Sequence, residues 1–102
     1  MNLEILDLAE ADILAGVRFY ERQSQGVGSY FLESLYSDIE SLRLFAGIHK
    51  KLLGYHRLLS RRFPYAIYYE MTKKTVRVWR VLDCRRDPHW IQQALGQSRK
   101  RR

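Results

Sequence analysis

The sequence predicts a two-layer α+β domain, and three observations predict it. Apolar residues recur at helical spacing through the first half, a glycine-bearing turn splits that half, and from Tyr55 onward the apolar period shortens to two. Consecutive helices followed by strands read as an N-terminal αα-hairpin packed on a small antiparallel β-sheet. The element order is β-α-α-β-β-β with a short C-terminal helix.

Residues 2–6, "NLEIL", form a short first strand. Asp7 stands three before Glu10, so its carboxylate is expected to accept an N–H of the first helical turn. Ile13, Val17 and Tyr20 then repeat at helical spacing over about residues 8–23. "SQGVGS", residues 24–29, supplies the glycines that a reversal between helices needs. Past it, Phe31, Leu35, Ile39 and Leu42, with Leu32 and Tyr36, make the apolar stripe of a second helix reaching Phe45. Glu33, Asp38 and Glu40 fall outside that stripe.

Strand alternation begins weakly at residues 55–60 and strengthens after Pro64, which lacks a ladder N–H and so belongs at a strand start. Phe63, Tyr65, Ile67, Tyr69 and Met71 share one face, and Ala66, Tyr68 and Glu70 share the other. After the turn "TKK", Val76, Val78 and Leu82 alternate with Arg77, Trp79 and Val81. Asp87 and Pro88 have the types expected at the cap and first position of a last short helix ending near Leu95. Residues 1–96 are thus one domain, and residues 97–102 read as a basic flexible tail. With the hairpin on one sheet face, the other is left partly open, and Tyr68 and Trp79 are its expected surface aromatics.

At 102 residues the chain has room for a single core, and 46% hydrophobic content is too high for a disordered protein. The lone Cys84 has no partner for an internal disulfide. His49, His56 and His89 lie far apart in sequence, so neither a metal site nor a cofactor is expected. No apolar run reaches the roughly 20 residues that span a bilayer. The acidic N-terminus is unlike a secretion signal, which points to a cytoplasmic protein without membrane contact. Charge is unevenly spread: residues 1–49 hold 3 basic and 8 acidic side chains, residues 50–102 hold 15 and 3. The second half is a cationic surface suited to nucleic acid or to an acidic protein.

Arg57, Arg61, Arg62, Arg77, Arg80, Arg85 and Arg86 lie on or beside the predicted sheet. Guanidinium groups grip anions bidentately but make poor general bases. Any one of them reads as a solvated side chain; as a set they suggest a binding surface. Exposed aromatics could stack on bases, although Phe63, Tyr65 and Tyr69 read as core. Nothing in the sequence gathers a Ser/His/Asp or Cys/His set, and Asp83 and Asp87 are best read as arginine partner and helix cap. No glycine-rich phosphate loop is present. The residues alone describe a basic α+β binding module, with nucleic acid as one candidate ligand and arginine-based nuclease chemistry as another.

"RRFPYAIYYEM" followed by "VRVWRVLDCRRDP", behind a hairpin carrying "FYERQSQGVGSYFLESL", resembles the RelE/ParE superfamily of toxins from bacterial type II toxin–antitoxin modules, over about residues 5–92. The resemblance implies a cognate antitoxin, a toxin–antitoxin hetero-oligomer, and one of two targets. RelE-like members cut mRNA on the ribosome, and ParE-like members poison DNA gyrase. Where the nuclease branch carries an arginine after the strand tyrosine this chain has Ala66, and its terminal tyrosine aligns with Ile91. Together with "GVG" and "FPY" these favour the ParE-like branch, with no enzymatic activity. The resemblance then implies Arg57, Arg61, Arg62, Arg85 and Arg86 as the target-binding surface. Tyr68, Trp79, Trp90 and Arg80 are the implied antitoxin contacts. In the nuclease alternative, Arg85, Arg86, Arg61 and His89 would stabilise phosphoryl charge.

Overall fold

The computed structural model describes the backbone of residues 1–101 and the side chains of residues 1–98. Strand β1 (Asn2–Ile5) leads into the hairpin of α1 (Asp7–Gln23) and α2 (Val27–Glu40), with a single turn, α3 (Leu42–Phe45), at its end. Strands β2 (Lys51–Leu52), β3 (Tyr55–Leu59), β4 (Tyr65–Met71) and β5 (Thr75–Asp83) follow, and α4 (Pro88–Arg101) closes the described chain. The α+β class and the element order match the sequence expectation. The sheet, ordered β1-β5-β4-β3-β2, is mixed rather than wholly antiparallel, because β1 pairs with β5 in parallel.

Both hairpin helices start differently from a simple capping motif. Leu6 occupies the N-cap of α1 without a side-chain cap, and Asp7 and Glu10 instead place negative charge in the first turn, where the helix dipole favours it. Gly26, with φ of 89°, caps α2 in the left-handed region. The Glu21 carboxylate of α1 accepts the N–H groups of Gly26, at 3.0 Å, and Gly28, at 2.9 Å. One acidic side chain thus satisfies orphan donors of the next helix.

The hairpin buries Ala9, Ile13, Phe31, Leu35, Ile39 and Leu42 against Tyr65, Ile67, Tyr69, Val76, Val78 and Val81. Each fully buried aliphatic or aromatic side chain in such a layer contributes roughly 1.5–3 kcal/mol. Two stripe assignments change: Tyr36 is 42% exposed, and Asp38, expected on the polar side, is buried. Its carboxylate is turned toward the β3–β4 loop, which supplies donors for it.

The second sheet face is not open. Helix α4 runs through residues 97–101, which the sequence suggested as a tail, and Arg102 lies outside the described residues. Ile91, Ala94 and Leu95 pack on Tyr55, Ala66, Tyr68, Trp79 and Leu82. Tyr68 and Trp79, expected at the surface, are therefore buried. A β-bulge refines the β5 pattern: Tyr68 faces Arg80 while Tyr69 faces Val78, leaving Trp79 as the extra residue. Past it the alternation changes phase, so Val81 joins the hairpin core while Leu82 packs under α4.

Candidate functional site

Two loops meet at one end of the sheet, and four arginines project from them. The β3–β4 loop, residues 60–64, is tied to the end of β5 where the Cys84 N–H donates to the Pro64 carbonyl at 2.7 Å. Buried Asp38 holds the same loop to α2, accepting from the Ser60 hydroxyl at 2.7 Å and the Arg61 N–H at 3.3 Å. Arg61 and Arg62 are exposed, and the Arg62 guanidinium lies 5.7 Å from the Tyr30 ring centroid. The turn after β5 presents Arg85 and Arg86, both exposed.

Each of these last two guanidinium groups is held by a neighbour. Arg85 donates through Nε to Asp83 Oδ1 at 3.0 Å and through Nη2 to Oδ2 at 2.8 Å. Arg86 stacks on Trp90, 3.8 Å from the ring centroid, a cation–π contact that fixes its direction. Between α1 and this turn lies a cleft of about 330 Å³ lined by Arg22, Tyr65, Asp83, Arg86 and Trp90. Burial, then the nearby Asp83 charge, pushes the Tyr65 phenol up to about 12, so it stays a hydrogen-bond donor there.

The Arg85 hydrogen bond holds the Asp83 carboxyl below its ordinary value of 3.8. A carboxylate with a lowered folded-state value stabilises the fold above the ordinary value, and that contribution vanishes as pH falls through the lowered one. Asp83→Asn should therefore lower the urea midpoint at neutral pH, and the gap should close in acid. A gap independent of pH would remove this assignment.

At the other end of the sheet two histidines converge on Tyr69, although the sequence separates them. His49 Nδ1 lies 2.5 Å from the Tyr69 hydroxyl, and the His56 ring stacks on Tyr69 with centroids 5.0 Å apart. Burial, then the adjacent His56, lowers the His49 pKa. Among the described residues no group of three or more His, Cys, Asp or Glu side chains could hold a metal ion.

A family model described as the ParE toxin of type II toxin–antitoxin system, parDE, matches residues 3–88. The chain belongs to the ParE toxin family. Membership makes it a type II toxin–antitoxin family protein and implies an antitoxin partner. A chain in the solved structure of a chromosomal ParDE TA system from P. aeruginosa shares the fold, with a TM-score of 0.72 at 19% identity, covering 79% of this chain and 92% of that one. No curated protein matches the sequence. The segment matched to the ParE family contains both arginine loops and ends where α4 begins.

In this ParE-family chain the structure brings Arg61, Arg62, Arg85 and Arg86 to one end. His89 lies there too, exposed in the first turn of α4, its ring 3.4 Å from the Gln93 amide. Arg57 projects from β3 and is half-buried, donating to the Tyr68 hydroxyl at 3.3 Å and to the thiol of Cys84, the residue before Arg85, at 3.7 Å. Of the four antitoxin contacts implied by resemblance, Tyr68 and Trp79 lie beneath α4 and Arg80 is engaged internally, while Trp90 is half-buried at the cleft rim. Arg22 and Tyr65 were missed as cleft residues. Arg22 reads as a polar helix position and Tyr65 as core, and no sequence signal relates either to Arg86.

Proposed function

We propose that this chain arrests bacterial growth in the cytoplasm by binding DNA gyrase through its basic end, and that a cognate antitoxin neutralises it in a toxin–antitoxin hetero-oligomer. The observation that carries this reading is the burial of Ala66 on the sheet and Ile91 on α4 in the one core layer between them. The resemblance matches these positions to the arginine and terminal tyrosine of the nuclease branch, and here both bear inert side chains in a packed layer. What remains at the basic end is a set of guanidinium groups suited to gripping an acidic or phosphate-bearing surface.

The purified protein should inhibit gyrase supercoiling without degrading RNA. The double variant Arg85→Ala/Arg86→Ala should need about tenfold more protein for half-inhibition, as expected when charges that steer and orient a complex are lost. Normal gyrase activity at concentrations that arrest growth would sink the reading. One arrangement favours a second one: Arg61, Arg85, Arg86 and His89 share an end, and guanidinium groups stabilise phosphoryl charge. Ribosome-dependent mRNA cleavage that Arg85→Ala abolishes would replace the gyrase reading with that of a nuclease.

A further inference from the structure

We infer that the cleft between α1 and the turn after β5 binds a phosphate monoester joined to a nucleobase, as a free nucleotide or as the phosphorylated end of a nucleic acid strand. The inference does not depend on which target the basic end reaches. It starts from Tyr65, which lines the cleft yet is only 8% exposed. Among the described residues its hydroxyl has no hydrogen-bond partner, although a buried polar group ordinarily finds one. Gly16 of α1 stands beside it, where even an added Cβ would come within 3.4 Å of the hydroxyl. Burial keeps the phenol protonated, its value pushed up to about 12, so what it offers the cleft is a donor.

The cations at the rim define what that donor meets. Arg22, in the last turn of α1, and Arg86 line the same cleft, and among the described residues neither guanidinium is in an ion pair. The carboxylates that also line it are already committed, Asp12 to Arg80 and Asp83 to Arg85. A single guanidinium fork satisfies a carboxylate, whereas two forks and a phenol O–H match the three terminal oxygens of a phosphate monoester. The walls supply the rest: Phe19 is 39% exposed, and half-buried Trp90 holds Arg86 on its ring. Flat apolar surface next to a phosphate seat suits a base, which stacks on aromatic rings. At about 330 Å³ the cleft is of the size that takes a small ligand.

The probe is adenosine 5′-monophosphate, titrated calorimetrically into the full-length protein. Binding is expected, with adenosine and inorganic phosphate each about tenfold weaker, because each keeps only part of the contacts. Tyr65→Phe removes the unpartnered O–H and should weaken binding about tenfold with an unchanged urea midpoint. Arg22→Gln, at an exposed position, should do the same. If Tyr65→Phe loses stability, Arg22→Gln alone decides. A tetranucleotide with a 5′-phosphate separates the two sources: tighter binding than the mononucleotide assigns strand ends, and equal or weaker binding assigns the free nucleotide. No binding of adenosine monophosphate, full binding by Arg22→Gln, equal binding of a tetranucleotide with a 5′-hydroxyl, or a tighter complex with a tetraglutamate peptide would each overturn the inference. None of these outcomes bears on gyrase inhibition, which is measured separately.

Discussion

Replacing Asp12 with alanine should destabilise the fold by about 3–5 kcal/mol, the range for removing one partner of a buried, hydrogen-bonded ion pair. The Asp12 carboxylate takes Arg80 Nε at 2.7 Å, Arg80 Nη2 at 2.9 Å and the Val81 N–H at 3.0 Å. Both side chains are nearly enclosed, at 11% and 14% exposure, so solvent cannot replace the lost partner. Arg80 also donates through Nη1 to the Ala94 carbonyl at 3.2 Å and to the Ser98 hydroxyl at 3.4 Å. Asp12→Ala strands a guanidinium and a β5 amide together. Urea unfolding of the variant measures the loss, and a change below about 1 kcal/mol would place the pair with ordinary surface bridges. Asp12→Ala/Arg80→Met should recover part of the loss, because no unpaired charge then remains.

Gly28→Ala is the second large effect, expected at about 1–3 kcal/mol, the usual cost of overpacking. A Cβ there would sit 2.7 Å from the Val17 carbonyl oxygen and 2.8 Å from Glu21 Oε1. Backbone cannot yield as a flexible side chain does, so α1 and α2 must separate, disturbing the Glu21 carboxylate that caps α2. Gly26 gives the control. Its φ of 89° disfavours alanine, yet nothing lies within 4 Å of the added Cβ, so only the backbone conformation is strained. Urea midpoints should rank Gly28→Ala below Gly26→Ala. The reverse order would mean that the hairpin is held by its turn and not by close helix contact.

How much of this was legible in the sequence depended on whether a residue's role was local. The alternation of Tyr65, Ile67 and Tyr69 was legible because the strand itself imposes it, and the hairpin because its apolar stripes and glycine turn are contiguous. Trp79 broke the pattern: a single bulged residue shifts the phase of everything after it, and no residue type announces the bulge. Helix α4 was half legible. Ile91, Leu95 and Ser98 keep helical spacing, but the basic residues that follow hide the continuation. The site was least legible, since Asp12 meets Arg80 across 68 positions and Asp38 meets Ser60 across 22. Such pairs exist only once the layers are stacked.

The late position of α4 in the chain has a consequence for synthesis. The face it covers is built from Tyr55, Ala66, Tyr68, Trp79 and Leu82, all made before its own residues. During translation the sheet can pair while that aromatic face stays bare, and it is closed only once α4 itself has been made. A nascent or truncated chain is thus stickier than the finished protein, in the way that folding intermediates with exposed apolar surface associate. Through Ile91, Ala94 and Leu95, helix α4 acts as the cover that hides this face in a newly made chain.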